Sequence, residues 1–350
     1  MSAETFTIPA LRCPIEVRTH PDVHVIRQDV LTWLDKFAFL ADEFHREIAA
    51  TLGARFAGLL CPDGATDRLR HLACFTAWSF ALQDARFEKA AAEQRIHEFV
   101  DLAARLVNGF DTPEGRPPTD DPYAEALHDL VVELSGWVGP VQLHRAAGEF
   151  RGWLFGQLWE WALRAGGTVP TVDDYFPLRA TAGAGRLMGV CVELALGLDV
   201  PEAELRRPAV RAATDAAWFV ALVTNDFGSY RKEVDRGEAG HNIVAILHAA
   251  DPAAGLDDAV AAAADLRDGA LALFLRLRAR ILVDASPQLR AYLLAAGQVI
   301  AGNAEWTSTV QRYSGGGVVL GGEIVKADPP ADAGLVAPPI PSISWWWSWV

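Results

Sequence analysis

The chain has 350 residues, 51% of them hydrophobic, and a formal net charge of −14. Its length allows one large domain or two ordinary ones, and the acidic balance argues against nucleic acid as a partner. Four scattered cysteines and an N-terminus with no basic or apolar leader predict a reduced, cytoplasmic protein, and the lack of a long apolar run predicts no membrane span.

The predicted elements are helices, because Ala, Leu, Arg and Glu dominate and apolar residues recur every three or four positions. Residues 1–21, which contain three prolines, are predicted to form an extended leader. No series of alternating strands is visible, so we predict an all-α fold. The predicted helices span, in chain order, residues 22–38, 40–53, 66–90, 91–109, 121–136, 140–165, 171–198, 202–236, 240–250, 256–283 and 287–314.

Several stretches have an unusual composition. Segments 68–82 and 213–223 are apolar almost all round, which is typical of helices in the middle of a bundle. Residues 180–185 are small, and because a glycine inside a helix costs about 1 kcal/mol relative to Ala, we predict a break there or a backbone held close to a neighbour. Residues 316–350 are rich in Gly, Pro and Trp. They are predicted to be a mostly disordered tail, with contact between its tryptophans and the body or a partner as the alternative.

A polar triad lies on the predicted helix 202–236. Asn225, Ser229 and Glu233 are spaced by four residues, so their side chains share one helix face. Amide, hydroxyl and carboxylate oxygens suit a hard cation such as Mg²⁺. A solvated helix face is the alternative, but the apolar runs 216–223 and 243–247 on either side favour a pocket.

Asp84 and Glu88 form a second and weaker candidate site at the end of an apolar helix. Their spacing of four residues places both carboxylates on one face, but it is also common on solvated helix ends. Beside the triad they would help to hold several Mg²⁺ ions, which usually leave coordination positions to substrate phosphate. The side chains suited to bind such a phosphate are Arg179, Lys232 and Arg312, the last followed by Tyr313.

The order of these motifs resembles that of bacterial class I terpene cyclases (terpene synthases). The triad looks like the metal triad of that family, including Lys232 before Glu233, and Arg179 stands where the family has its pyrophosphate-sensing Arg. Gly183 follows at the position of the family's effector residue. The pair at 312–313 looks like the family's terminal Arg-Tyr pair.

The resemblance extends over about residues 75–315 and departs from the family at one place. Gln83 stands at the first Asp of the family's acidic motif, so the match is Gln83-Asp84-x-x-x-Glu88. We therefore assign the metal-bridging role to Asp84. If Gln83 replaces the main ligand, metal affinity or activity would be weak.

What the resemblance implies is a single-domain helical bundle of the class I terpenoid synthase type with a central apolar cavity. This domain would cover 22–315, between the leader 1–21 and the tail 316–350. With three Mg²⁺ ions, the enzyme would ionise a linear isoprenyl diphosphate, farnesyl diphosphate being favoured and geranylgeranyl diphosphate next. The cation would cyclise to a hydrocarbon or alcohol, with release of pyrophosphate. The oligomeric state stays open, with a homodimer as one alternative.

The implied site residues fall into four groups. The metal ligands are Asp84, Glu88, Asn225, Ser229 and Glu233. The diphosphate would be bound by Arg179, Lys232, Arg312 and Tyr313. The residues assigned to catalysis are Arg179, Gly183, Arg312 and Tyr313. The passing cation would be stabilised by the aromatic rings of Phe80, Trp78 and Trp306, with Phe219 a weaker candidate and core packing an even alternative for each.

Two other functions stay open on the sequence. A chain-elongating prenyltransferase shares the fold, but it normally carries two Asp-rich motifs, and here the second site is an Asn/Ser/Glu triad. A non-catalytic helical protein that binds an isoprenoid diphosphate or a partner is the other alternative. It is motivated by Gln83 and by the tryptophan-rich tail.

Overall fold

The computed structural model describes residues 8–37, 39–40, 42–88, 94–116, 120–309, 324–330 and 332–350. Within these ranges the regular secondary structure is helical apart from two short parallel strands, β1 (Leu11–Arg12) and β2 (Ile324–Val325), which pair with each other. The all-α prediction is therefore confirmed. Among the described helices, none combines the length and the apolar character needed to cross a membrane.

The backbone divides into two compact units. The first unit contains Arg18–Trp161 and Leu187–Asp199, and the second contains the described residues of Met1–Val17, Ala162–Arg186 and Val200–Val350. The domain limits predicted from the sequence, at 1–21, 22–315 and 316–350, stay predictions.

The first unit is built on the buried helix α3. Its helices are α1 (Val23–Leu34), α2 (Glu43–Leu60), α3 (Thr66–Leu82), α4 (Ile96–Asp111), α5 (Pro122–Ser135) and most of α6 (Pro140–Ala165). The apolar segment predicted for the middle of a bundle lies in α3, where Ala73, Ala77 and Trp78 are fully buried. Helix α2 packs so closely on α3 that a Cβ at Gly53 would overlap the carbonyl oxygen of Ala73.

The second unit is organised around the long helix α10. Its helices are α7 (Val172–Ala182), the start of α8 (Gly185–Ala195), α9 (Glu202–Leu205), α10 (Pro208–Arg236), α11 (Ile243–Ala250), α12 (Leu256–Ile281), α13 (Pro287–Thr309) and α14 (Pro341–Ser344). Helix α10 packs against α12 and α13. Its segment 213–223, predicted to lie in the middle of a bundle, is mostly buried, as at Ala216, Val220 and Val223.

Two predicted helices are each divided in the structure. The predicted helix 171–198 ends at Ala182 and resumes at Gly185, and between them Ala184 has a φ of +59°. The break predicted from the small residues is confirmed. The predicted helix 202–236 is interrupted before Pro208, because the residue that precedes a proline is driven out of the helical region. Arg207 is accordingly extended, with φ −56° and ψ 127°.

The predicted helix 66–90 changes from an α-helix to a π-helix near its end. The α-helix stops at Leu82, and a π-helical turn continues over Gln83–Glu88. Such wide turns inside helices are frequent at functional sites. Here the turn carries Asp84 and Glu88, the two acids of the second candidate site.

The prediction of a mostly disordered tail is wrong for the end of the chain. Residues 341–344 form α14, and a 3₁₀ turn follows over Trp345–Trp349. Trp346 is fully buried against Phe176 and Phe219. Burying aromatic surface of this size offsets the entropy of ordering a short segment. The alternative considered for the tryptophans, contact with the body of the protein, is the one observed.

Candidate functional site

The triad lies on one face of α10, as its spacing predicts. Helix α10 begins with Pro208 at its first position, where the missing N–H has no helical partner to lose. It ends at Arg236 and is capped by Gly237, whose φ of +70° is a left-handed conformation that glycine adopts without strain. Ser229 is buried, whereas Asn225 and Glu233 are half-buried. Three different oxygen donors thus share two turns of one helix.

Asp226, next to Asn225, is the centre of the hydrogen-bond network around the triad. Its Oδ1 accepts hydrogen bonds from Nε and Nη2 of Arg179 at 3.1 and 2.6 Å. Its Oδ2 accepts hydrogen bonds from the hydroxyl of Tyr175 at 2.9 Å and from the N–H of Ile243 at 3.0 Å. The carboxylate is 1% exposed. This buried charge is stabilised because every donor around it is well placed.

Sequence reasoning gave Asp226 no role. The available signal was a charged side chain just after the apolar segment 213–223, since such a residue is rarely buried without a partner. The partner itself was not readable from the sequence, because Arg179 and Tyr175 belong to a different helix. The Arg179–Asp226 ion pair joins α7 to α10 within the second unit.

Asn242 is a second residue that sequence reasoning missed. Its Nδ2 donates hydrogen bonds to Oε2 of Glu233 at 2.9 Å and to the backbone oxygen of Asp226 at 2.8 Å. Its Oδ1 accepts a hydrogen bond from the N–H of Val244 at 3.1 Å and so caps α11. Asn242 therefore fixes the start of α11 against the triad face of α10.

Glu233 lies close to a second carboxylate, that of Asp226. Burial raises the pKa of Glu233, and the charge of Asp226 raises it further. Hydrogen bonds from Ser229 and Asn242 and the charge of Arg179 act in the opposite direction, and the resulting pKa is about 7. A bound cation would favour the ionised carboxylate at this position.

The donor set fits a hard divalent cation. Across the residues that the structure describes, no group of three or more His, Cys, Asp or Glu side chains forms a metal site. The triad itself would offer an ion one amide, one hydroxyl and one carboxylate oxygen, from Asn225, Ser229 and Glu233. Mg²⁺ accepts such oxygen ligands and keeps several positions for water or substrate phosphate, whereas soft metals prefer sulfur or imidazole.

Helix α7 places Arg179 beside the triad. Thr171 caps its start, because its Oγ1 accepts a hydrogen bond from the N–H of Asp174 while Asp174 accepts one from the N–H of Thr171. Gly183 caps its end at a point of close approach. A Cβ at Gly183 would lie 2.6 Å from Cδ2 of Leu222 and 2.9 Å from Nη1 of Arg179. Packing therefore favours the glycine, while the predicted role of its carbonyl toward a cation stays a prediction.

The acids of the second candidate site lie on the π-helical turn of the first unit. Asp84 is exposed and Glu88 is half-buried. Between them, Arg86 forms an ion pair with Asp121 at 2.6 Å, and its guanidinium lies over the ring of Tyr123 at 5.1 Å from the ring centroid. The turn is thus attached to the start of α5. Metal binding by Asp84 and Glu88 stays a prediction.

The remaining predicted site residues are a lysine, the pair at 312–313 and three aromatic residues. Lys232 is half-buried on α10, beside Glu233. Arg312 and Tyr313 lie outside the described residues. Trp78 and Trp306 are fully buried, and Phe80 is half-buried with its ring 6.2 Å from that of Phe56.

Trp78 has a clear structural role. Its Nε1–H donates a hydrogen bond to the backbone oxygen of Tyr123 at 2.9 Å. Its ring lies within an aromatic cluster with Phe75, Phe150 and Trp153. These contacts explain why a tryptophan is buried at this position. The role of Trp78, Trp306 and Phe80 in stabilising a cation stays a prediction.

Comparison with known proteins identifies the family. A family model described as terpene synthase family 2, C-terminal metal binding, matches residues 74–272. The chain is 33% identical to the spiroviolene synthase of Streptomyces violens, over 99% of this chain and 98% of that protein. It is 31% identical to the (+)-(1(10)E,4E,6S,7R)-germacradien-6-ol synthase of Streptomyces pratensis, over 97% of this chain and 96% of that protein.

A solved structure agrees with these matches. The crystal structure of the SVS_A2 protein from ancestral sequence reconstruction is similar to this structure with a TM-score of 0.82 and 30% sequence identity. The similarity covers 97% of this chain and 98% of that one. The region matched by the family model contains Arg179, Gly183 and the whole triad. The chain therefore belongs to the bacterial terpene synthase family of class I fold, and it is a terpene cyclase, a carbon–oxygen lyase.

Proposed function

We propose that the enzyme uses Mg²⁺ to ionise a linear isoprenyl diphosphate and cyclises the resulting allylic cation to a terpene hydrocarbon or alcohol, with release of pyrophosphate. The observation that carries this proposal is the set of three oxygen donors, Asn225, Ser229 and Glu233, on the face of α10 that also positions Arg179 through Asp226. An anion-binding guanidinium beside a hard-cation donor set suits a metal-complexed diphosphate.

The triad supplies the metal ligands in this proposal. Asn225, Ser229 and Glu233 would hold Mg²⁺, with Asp84 and Glu88 as further ligands and three ions in total. When bound, the ions neutralise the diphosphate oxygens and stabilise the charge of the leaving group. Asn242 donates a hydrogen bond to one oxygen of Glu233, so the orientation of that carboxylate is fixed before the substrate binds.

The cationic side chains would bind the diphosphate. Arg179 is held by Asp226 through Nε and Nη2, which fixes the plane of its guanidinium. A planar fork in a fixed orientation binds phosphate oxygens with less loss of side-chain entropy than a mobile one. Lys232, Arg312 and the hydroxyl of Tyr313 are proposed for the remaining oxygens.

Beyond the diphosphate, the chain must shield a carbocation from water. The reaction needs no side-chain nucleophile, because bond heterolysis creates the reactive centre. Aromatic faces stabilise a passing cation by about 2 kcal/mol when desolvated. Phe80, Trp78 and Trp306 are proposed for this role, and the carbonyl of Gly183 is proposed to point toward the cation.

The fifteen-carbon farnesyl diphosphate is the favoured substrate, with the twenty-carbon geranylgeranyl diphosphate next. Ala81 and the small residues at 180–185 would leave room for the longer chain. The substrate test measures pyrophosphate release and product mass after incubation with the ten-, fifteen- and twenty-carbon diphosphates, with Mg²⁺ or with EDTA. We expect a cyclic product from the fifteen-carbon substrate with Mg²⁺ only.

The same experiment is extended by a binding assay with a diphosphate analogue and by addition of isopentenyl diphosphate, and two outcomes would then contradict the proposal. Binding of a diphosphate analogue with Mg²⁺, without pyrophosphate release from any of the three substrates, would establish the non-catalytic alternative. Products that form only after addition of isopentenyl diphosphate, and that are longer than the substrate, would establish the chain-elongating prenyltransferase.

A further inference from the structure

Helix α7, which carries Arg179, is weak on its own. It has 11 residues, and isolated helices of that length are marginal in water. Pro177 lies in its interior, where it removes one helical N–H and crowds the carbonyl four residues earlier. Beyond its end, Ala184 has a left-handed φ of +59°, a conformation that is unfavourable for a non-glycine residue. The position of Arg179 must therefore depend on what packs against α7.

The end of the chain packs against α7. The N–H of Ser342 donates a hydrogen bond to Oδ1 of Asp173, in the first turn of α7, at 2.6 Å. The ring of Trp346 meets that of Phe176 edge to face, with centroids 4.8 Å apart and planes at 88°. Both contacts involve the same short C-terminal segment, 341–349, which we call the tail clamp.

Trp346 also reaches the triad helix. Its ring centroid lies 5.9 Å from that of Phe219 on α10, and Phe219 lies 5.9 Å from Phe176 on α7. The three rings therefore contact one another at the junction of α7 and α10. Trp346 is fully buried there. Edge-to-face aromatic pairs of this kind stabilise a junction beyond the burial of their surface.

The tail clamp is itself held in place by other parts of the second unit. Nη1 of Arg280 on α12 donates a hydrogen bond to the backbone oxygen of Trp349 at 3.1 Å. Nε1 of Trp347 donates one to the backbone oxygen of Gly334 at 2.8 Å. The guanidinium of Arg211 lies over the ring of Trp345, 5.6 Å from its centroid. These contacts fix the segment on both sides of Trp346.

Phe176, which the ring of Trp346 contacts, is one helical turn away from Arg179, the proposed diphosphate-binding side chain. Phe176 and Arg179 are three residues apart and therefore neighbours on the surface of α7. Tyr175, next to Phe176, donates a hydrogen bond to the same Asp226 carboxylate that binds Arg179. A shift of Phe176 would therefore move both donors relative to Asp226.

We propose that Trp346 is a positioning residue for Arg179. By filling the junction of α7 and α10, it sets the separation of the two helices and thereby the place of the Arg179 guanidinium relative to the triad. The inference rests on the proposed function, in which Arg179 binds the diphosphate. The tail clamp would thus act on the ionisation step through the position of Arg179.

The test compares three single-residue variants, one of which is a control for loss of stability. Trp346→Ala removes the ring, and Trp346→Phe keeps an aromatic ring at the junction. Leu277→Ala opens a cavity at a fully buried position of α12 and controls for general destabilisation. We expect kcat/KM for pyrophosphate release to fall at least about tenfold in Trp346→Ala, within the hundredfold that a misplacement of about 1 Å can cost. Trp346→Phe and Leu277→Ala should stay within about threefold of wild type.

A double mutant tests the route through Arg179. If Trp346 acts by positioning that guanidinium, Trp346→Ala should cost much less in an Arg179→Lys background, because the group it positions is already altered. Equal losses in both backgrounds would overturn the proposal. So would wild-type kcat/KM in a folded Trp346→Ala variant.

Hydrogen exchange tests the same coupling without substrate. We expect amides of residues 172–182 to exchange faster in Trp346→Ala than in Leu277→Ala at equal thermal midpoints. Unchanged exchange in α7 would overturn the proposal even if activity falls. If the wild-type enzyme releases no pyrophosphate but α7 exchange responds as expected, the proposed function fails while the structural coupling stands.

Discussion

Arg179 and Asp226 are joined by two hydrogen bonds, from Nε and Nη2 of the arginine to Oδ1 of the aspartate, at 3.1 and 2.6 Å. The Asp226 carboxylate is 1% exposed and the Arg179 side chain is 14% exposed. The pair links the helix that carries the proposed diphosphate-binding group to the helix that carries the triad.

Replacing Asp226 by Asn should destabilise the protein strongly. The change leaves the Arg179 guanidinium and the Tyr175 hydroxyl without their anionic partner, and removing one member of a buried pair typically costs about 3–5 kcal/mol. The free energy of unfolding in urea measures the loss. Asp235→Asn, at an exposed ion pair with Arg231 on the same helix, is the control and should change that free energy by less than about 1 kcal/mol. Equal effects of the two substitutions would contradict the importance given to the buried pair.

Removing a triad oxygen should abolish turnover without unfolding the chain. Asn225→Ala or Glu233→Ala is expected to lower pyrophosphate release by at least about a hundredfold, because one ligand of the proposed ions is lost where charge develops. Thermal midpoints should stay near that of wild type. Asp235→Ala, an exposed acid on α10, provides the matched control. Wild-type rates in either triad variant would count against the proposed metal site.

A side chain at Gly183 should disturb Arg179. In Gly183→Ala the new Cβ would approach Cδ2 of Leu222 to 2.6 Å and the backbone oxygen of Arg179 to 2.7 Å. Overpacking of this kind costs about 1–3 kcal/mol. We expect a lower thermal midpoint together with a lower kcat/KM.

Gly148→Ala is the matched control for that experiment. Gly148 lies within α6, and apart from its own stretch of helix no atom of the described residues is within 4 Å of a Cβ built there. An alanine in a helix interior should therefore raise stability by about 0.5–1 kcal/mol and leave activity unchanged. If Gly183→Ala behaves like Gly148→Ala, the close approach at Gly183 does not constrain the site.

Glu133 should make the stability of the protein sensitive to acid. Burial tends to raise the pKa of Glu133, but hydrogen bonds and charges from His71 and Arg70 outweigh it and lower that pKa to about 2. A carboxyl with a depressed pKa contributes stability that is fully present above its unfolded value, 4.5, and is lost as the pH falls through its folded value.

Comparison with Glu133→Gln measures this contribution. We expect the variant to be less stable than wild type at pH 6, by up to about 3 kcal/mol, with the difference shrinking as the pH falls from 4.5 toward 2. Urea unfolding at several pH values gives both free energies. A difference that stays constant with pH would show that the loss comes from packing and not from the charge.

The site shows which predictions the sequence can support. The spacing of Asn225, Ser229 and Glu233 predicted one helix face, and the structure has that face on α10. The small residues near Gly183 predicted a break, and the chain breaks there. Both features depend on helical periodicity and glycine content, which are local properties of the chain.

The partners of the site were not predictable in the same way. Asp226 receives donors from Arg179, Tyr175 and Ile243, and Asn242 binds Glu233. Each contact joins different elements, so each depends on how those elements pack. The prediction for the end of the tail was wrong for the same reason. Its Gly and Pro content predicts disorder, whereas the burial of Trp346 depends on the rings that it contacts.

The amino-acid sequence by itself determined the helices, the face that carries the triad and the family to which the chain belongs, because periodicity and motif spacing are written along the chain. Only the tertiary structure decided that Asp226 would orient Arg179 and that the last residues would close over α7. Those contacts form between residues far apart in sequence, and their free energy comes from the burial and charge pairing that packing alone creates.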